Sequence, residues 1–193
     1  MKKPIVFIDI ETTGLNPEMH EIIEIACLRI DSGGHRSVYY AKVHPMRIEI
    51  AHHRALEING YNGKDWREAF FPNEVAAQLE SFLSGALLVG HNIKFDVSFI
   101  SELMHAHKRL QTWDRRLIDT IVLAHEHLSP CGIESLSLDS IRSFLGWTHE
   151  GSHRAMRDAQ DVMRLYKTLS RCSGAIRFYW TIKHKILKLL GRR

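Results

Sequence analysis

No run of apolar residues in this 193-residue sequence approaches the length needed to cross a bilayer; the longest, such as 86–89, end after a few residues. A transmembrane segment is therefore not expected. The Met1-Lys2-Lys3 start soon reaches Asp9 and Glu11, so no secretory leader is expected either, and a cytoplasmic location follows as the expectation. Cysteine is scarce. Cys27, Cys131 and Cys172 are odd in number, widely spaced and free of any CxxC pattern, which excludes a disulfide framework and a thiolate zinc site as readings. Internal repeats and low-complexity stretches are missing as well. Acidic residues are absent from 171–193, a segment that carries seven Lys and Arg.

What is present belongs to a soluble globular domain, with 45% hydrophobic and 25% charged residues. The length suits one domain with a full core. The formal net charge of +4 misleads, because removing the last segment leaves 19 basic against 22 acidic side chains. Positive charge thus belongs to the tail. An acidic body still binds nucleic acid if cations mediate the contact, so charge alone does not exclude that class.

Apolar patterning marks strands at 4–11, 21–30 and 37–43, with Asp31-Ser32-Gly33-Gly34 as the turn of a hairpin over 21–43. A helix is predicted over 73–84, where Val75, Leu79, Phe82 and Leu83 share a face. A short buried strand at 86–89 follows, then a helix over 94–107 that aligns Phe95, Phe99 and Leu103. A fifth strand is expected at 116–118 and helices at 119–128, 135–145 and 155–171. Three early strands followed by alternation predict an α/β domain, a mixed five-stranded sheet flanked by helices. The division expected is 1–172 for the domain and 173–193 for an appended basic amphipathic helix, after the stop at Ser173-Gly174. On a helical wheel Arg177, His184, Lys185 and Lys188 fall within about 100° of one another. Ile176, Tyr179, Trp180, Ile186, Leu187 and Leu190 take the other side.

Three clusters carry chemistry. In Asp9-Ile10-Glu11-Thr12-Thr13-Gly14-Leu15, strand periodicity points Asp9 and Glu11 to one face. Carboxylates that close repel unless a cation lies between them. With 22 acids in 193 residues, such a triplet also arises by chance, and its place at a strand end is what raises its weight. The second cluster, Gly90-His91-Asn92-Ile93-Lys94-Phe95-Asp96, puts Asp96 in the first turn of a helix just beyond a sheet edge. An acid there is also favoured by the helix dipole alone. The third is His153-Arg154-Ala155-Met156-Arg157-Asp158-Ala159. Five residues of helix separate its ends by roughly 140°, so His153 is expected in the Gly151-Ser152 loop and Asp158 on the helix that follows.

These clusters, in this order, resemble the DEDD superfamily of 3′→5′ exonucleases, in the branch whose last motif is His-x4-Asp. That branch includes bacterial proofreading subunits and ribonuclease T. The resemblance covers about residues 4–170 and implies a ribonuclease-H-like fold. It further implies Asp9, Glu11, Asp96 and Asp158 as metal ligands and His153 as general base. An all-oxygen set favours Mg²⁺ or Mn²⁺, and two-metal hydrolysis of single-stranded DNA or RNA 3′ ends is the chemistry implied, with nucleoside 5′-monophosphates as products. A histidine base would make activity fall below neutral pH. Thr12, Thr13, His91 and Asn92 are expected substrate contacts, and Leu15 and Ile58 are expected to pack on the terminal bases. Arg157 departs from the acid often found there and is expected to engage phosphate or water. Asp119 is expected as a helix N-cap.

The resemblance ends near Arg171. A basic amphipathic helix over 176–193 suits a protein partner, an anionic membrane surface, nucleic acid, or an apolar patch of its own domain. Trimming of DNA ends is the expectation favoured. An exoribonuclease, a non-catalytic adaptor acting through the tail, and a small-molecule phosphatase are the alternatives. The complete set of four acids and a histidine argues against the adaptor.

Overall fold

The residues Ile5–Thr12 form strand β1, whose alternating side chains enter two differently furnished faces. Val6, Ile8 and Ile10 join a core with Val75 and Leu79 of α2 (Pro72–Phe82) and Ile93 and Phe99 of α3 (Ile93–Ala106). Phe7 turns the other way, against Ala155, Ala159 and Val162 of α6 (Ala155–Leu169). The structure, a computed structural model, describes residues 3–189, and the side chains at 175, 177, 178 and 185–189 lie outside that description.

Strand β2 (Ile22–Ile30) pairs antiparallel with β1 and with β3 (Arg36–Lys42), the predicted hairpin. Its turn closes with Gly34 N–H donating to Asp31 O at 2.8 Å, Gly34 taking the left-handed φ of 85°. Strand β4 (Leu87–Gly90) lies parallel to β1, and β5 (Leu117–Asp119) parallel to β4. The order β3-β2-β1-β4-β5 gives the mixed five-stranded sheet that the pattern predicted, with helices on both faces. Its central strand is β1, so the first acidic cluster sits in the middle of the sheet.

The predicted helices appear as α2, α3, α4 (Thr120–Leu128), α5 (Leu138–Leu145) and α6. Helix α5 begins three residues later than the pattern suggested, because Ser137 caps it, its hydroxyl accepting Ser140 N–H at 3.2 Å. Helix α1 (His53–Asn59) and the 3-10 turns Ile48–Ile50 and Ser129–Cys131 were not anticipated. Helix α1 has no side-chain cap and buries only Asn59 from within it, so it carries neither a start signal nor an apolar stripe.

Helix α7 (Gly174–Leu189) follows Ser173. Trp180 inserts among Ala124, Leu128, Ile141, Leu165 and Leu169, and the His184 ring lies 5.0 Å from that of Phe144. His184 therefore packs on the domain, not in the solvated basic face drawn on the wheel. Ile176 and Tyr179 are exposed although the wheel grouped them with Trp180. The side chains of Arg177, Lys185, Ile186, Leu187 and Lys188, and residues 190–193, lie outside the described residues. Among the described residues no helix is long and apolar enough to cross a membrane.

Candidate active site

Beyond Phe7 the α6-facing side of β1 changes from apolar to acidic: Asp9 and Glu11 follow at the strand period. Ala155 and Ala159 bring α6 close over that side, and its first turn supplies Asp158. Carboxylate oxygens of Asp9, Glu11 and Asp158 lie within 4.8 Å of one another. Asp96 does not join this group. The β1–β4 ladder ends at Phe7 and Val89, and beyond it Asp96 is buried, its carboxyl raised by burial and drawn partly back by its own backbone amide and that of Ile10. Asp96 is close enough to Asp9 for its charge to push that carboxyl further up.

Burial holds the Asp9 carboxyl well above the usual carboxylate range, and the charges of Asp96, Asp158 and Glu11 add to the effect. Glu11 is pushed up to about 8 by burial, then by Asp158 and by Glu24, its direct cross-strand partner. Burial also raises Asp96 and Asp158, against an opposing pull on Asp158 from Arg142. Three crowded oxygen donors that resist ionising together are what a hard divalent cation relieves, so the donor set fits Mg²⁺ or Mn²⁺.

His153 lies where the sequence put it, in the loop before α6, with a left-handed φ of 60° and a half-exposed ring. Its N–H donates to Asp158 Oδ2 at 3.3 Å, and its Nε2 is 3.5 Å from Asp139 Oδ2. His149 Nδ1 stands 3.6 Å from the other oxygen of Asp139. Arg142 escaped the sequence reading. Its guanidinium, with the side chain 1% exposed, donates to Asp139 at 2.7 Å, Asp158 at 2.5 Å and Asp161 at 2.9 Å. A signal existed: Arg142 stands four residues after Leu138 and three before Leu145, on the apolar stripe of α5, where a charge needs partners. Arg157 is partly exposed, with Nε donating to Asp161 at 3.1 Å and Nη2 to Thr148 O at 3.2 Å.

The flanking residues divide. Thr12 donates to Gly14 O at 2.6 Å, and the Thr13 hydroxyl accepts Glu21 N–H at 2.9 Å while Thr13 N–H donates to Glu21 O. Both hydroxyls expected to meet substrate are engaged inside the turn. Gly14 is required there, since a Cβ would meet the His20 ring at 2.3 Å. Leu15 is 80% exposed and Ile58 45%, so both present apolar surface to solvent. Asn59 Nδ2 donates to Thr12 O at 3.1 Å, tying α1 and hence Ile58 to the same turn. His91 is likewise engaged by protein: Nε2 donates to Leu136 O at 2.8 Å and Nδ1 lies 3.0 Å from the Thr120 hydroxyl. Burial lowers its pKa, and the ring ties the end of β4 to the loop before α5. Asn92 is exposed in a left-handed conformation, its N–H donating to Asp119 at 3.0 Å. Asp119 caps α4 as expected, accepting Ile121 N–H.

Residues 6–166 match the family model described as Exonuclease, RNase_T. A PolC-type DNA polymerase III from Thermotoga petrophila is 34% identical over 161 residues, 83% of this chain and 11% of that protein. The DNA polymerase III subunit epsilon of Treponema pallidum is 27% identical over 166 residues, 83% of this chain and 74% of the subunit. The chain therefore spans about a tenth of the PolC-type relatives it matches. Among solved structures, E. coli exonuclease I in complex with a dT13 oligonucleotide superposes with a TM-score of 0.77 at 20% identity, over 92% of this chain and 43% of that one. This likeness concerns the fold.

Proposed function

Because the chain belongs to the RNase_T exonuclease family, we propose that it is a divalent-metal-dependent 3′→5′ exonuclease acting on nucleic-acid ends. The observation that carries this reading is the convergence of Asp9, Glu11 and Asp158 within 4.8 Å, on carboxyls that burial and mutual repulsion keep from ionising together. Those three, with the neighbouring Asp96, would hold two ions, Mg²⁺ or Mn²⁺. When bound, such ions supply positive charge to a phosphodiester and acidify the attacking water.

The protein's own groups do the rest. His153 accepts the proton of the attacking water; with Nε2 turned to Asp139, Nδ1 is the nitrogen that takes it. Asp139 holds the ring from one side and Asp158 holds the loop backbone from the other. Leu15 and Ile58 give apolar surface on which terminal bases stack without regard to their identity. The exposed Asn92 side chain offers a polar group to the substrate. Single-stranded DNA is the favoured substrate, in keeping with polymerase-associated relatives, and nucleoside 5′-monophosphates are the products. Residues 1–172 are the catalytic unit in this reading and 173–193 an appendage to it.

The test is incubation with 5′-labelled single-stranded DNA and RNA under Mg²⁺ or Mn²⁺, beside Asp9→Ala. A ladder shortening from the 3′ end, lost with chelator or in the variant, supports the reading and ranks the two sugars. An unchanged substrate under both metals refutes it.

A further inference from the structure

Arg142 is a fully buried charge to which the chemistry above gives no task. All three of its guanidinium nitrogens are committed, Nη1 to Asp139, Nη2 to Asp158 and Nε to Asp161. Buried ion pairs are weak evidence of net stabilisation, because desolvation offsets the attraction. The choice of partners says more. Asp158 belongs to the carboxylate group, and Asp139 faces His153. Asp161 belongs to neither and is gripped by a second guanidinium, Arg157 at 3.1 Å, which makes it the anchor of the network. One side chain thus joins a candidate metal ligand to the support of the candidate base, and it brings a full positive charge to within 2.5 Å of that ligand.

We propose that Arg142 is a resident counter-cation of the metal centre: it positions Asp158 and Asp139 before any ion arrives, and its charge weakens the hold of the centre on divalent cations. The inference rests on the reading of Asp9, Glu11 and Asp158 as that centre. A guanidinium whose only role was structural would act in the opposite sense, since its loss would displace Asp158 and loosen metal binding. The two roles therefore differ in sign.

The experiment is calorimetric titration of Mn²⁺ into the metal-free full chain, for the wild type, Arg142→Lys and Arg142→Met. A divalent ion beside Asp158 would lie roughly 5 Å from the guanidinium, and even a water-like dielectric then predicts binding at least about tenfold tighter once the charge is removed. Arg142→Lys keeps the charge but not the fork, so Mn²⁺ binds it no more tightly than the wild type. Its kcat falls with an unchanged KM for oligonucleotide, because one ammonium does not hold three carboxylates in place. Arg142→Met orphans the buried Asp161 and risks unfolding, so Arg142→Met/Asp161→Asn is measured beside it, with circular dichroism to confirm the fold. A folded, charge-removed chain that binds Mn²⁺ no more tightly than wild type overturns the proposal. So does failure of both charge-removed chains to fold, which would make Arg142 structural. A wild type that binds no Mn²⁺ removes the metal centre itself, and this proposal with it.

Discussion

Replacing Glu11 by glutamine should stabilise the metal-free protein at alkaline pH while abolishing its activity. The folded-state pKa of Glu11 is raised from 4.5 to about 8, so the folded chain binds this proton more tightly than the unfolded chain does. The sign follows by linkage. The contribution of Glu11 to stability is complete below pH 4.5 and is lost as pH rises toward about 8. That interval sets a ceiling of about 5 kcal/mol at about 1.4 kcal/mol per pH unit. Since the carboxyl is only partly buried, screening leaves roughly 2–3 kcal/mol. Glutamine keeps the shape and never ionises. It also relieves Asp9, whose carboxyl Glu11 pushes upward, so the coupled effect has the same sign.

The assay is thermal unfolding of wild type and Glu11→Gln in chelator at several pH values between 5 and 8.5. At about 2–4 °C per kcal/mol for a chain of this size, the variant should melt roughly 4–12 °C higher at pH 8 and nearly level with wild type at pH 5. Saturating Mn²⁺ should close most of the gap. Metal at about 100 times its Kd adds roughly 2.7 kcal/mol to the wild type, and less to a variant that has lost a ligand. A variant no more stable than wild type at pH 8 in chelator would refute the argument that these carboxyls are crowded against their own ionisation.

Three further outcomes are expected. His153→Ala should lower kcat by about 10²–10⁴-fold with little change in calorimetric Mn²⁺ affinity, since His153 is outside the carboxylate group. Leu15→Ala should raise KM for a single-stranded oligonucleotide without moving Tm, because the side chain is 80% exposed and supports no core; an unchanged KM removes it from the substrate contacts. Gly14→Ala should cost about 1–3 kcal/mol and reduce activity, as the new methyl must displace the His20 ring from a 2.3 Å approach. A crystal structure of that variant with an unmoved His20 would contradict this.

What the sequence made readable, and what it hid, separates by range. Asp9 and Glu11 were legible because strand alternation is local, and the same rule that sends Ile8 and Ile10 into the core sends both acids to the other face. Asp158 and His153 were legible for the same reason, one on a helix and one in the loop that precedes it. Asp96 was legible as an acid in the first turn of a helix beyond a sheet edge, yet its burial and its nearness to Asp9 depend on how α3 packs against β1, which no local pattern records. The Thr-Thr-Gly turn reads along the chain as donors to offer, whereas only the return of the chain at Glu21 shows that the Thr13 backbone N–H and one acceptor site of its hydroxyl are taken up.

Arg142 is the instructive case. Its neighbours Leu138, Ile141 and Leu145 place it on a buried stripe, so burial could be read from the sequence, but its partners could not. Two of them, Asp158 and Asp161, lie 16 and 19 residues away on a different helix, and only the docking of α5 beside α6 decides that three carboxylates share one cation. Residues that perform chemistry recur in short motifs because each must stand at a fixed place on its own element. Residues that hold them answer instead to the facing element, whose partners set the charge, reach and geometry required. The positioning of a site is therefore written in pairs across the fold, and a chain read along its length discloses the ligands before it discloses what keeps them there.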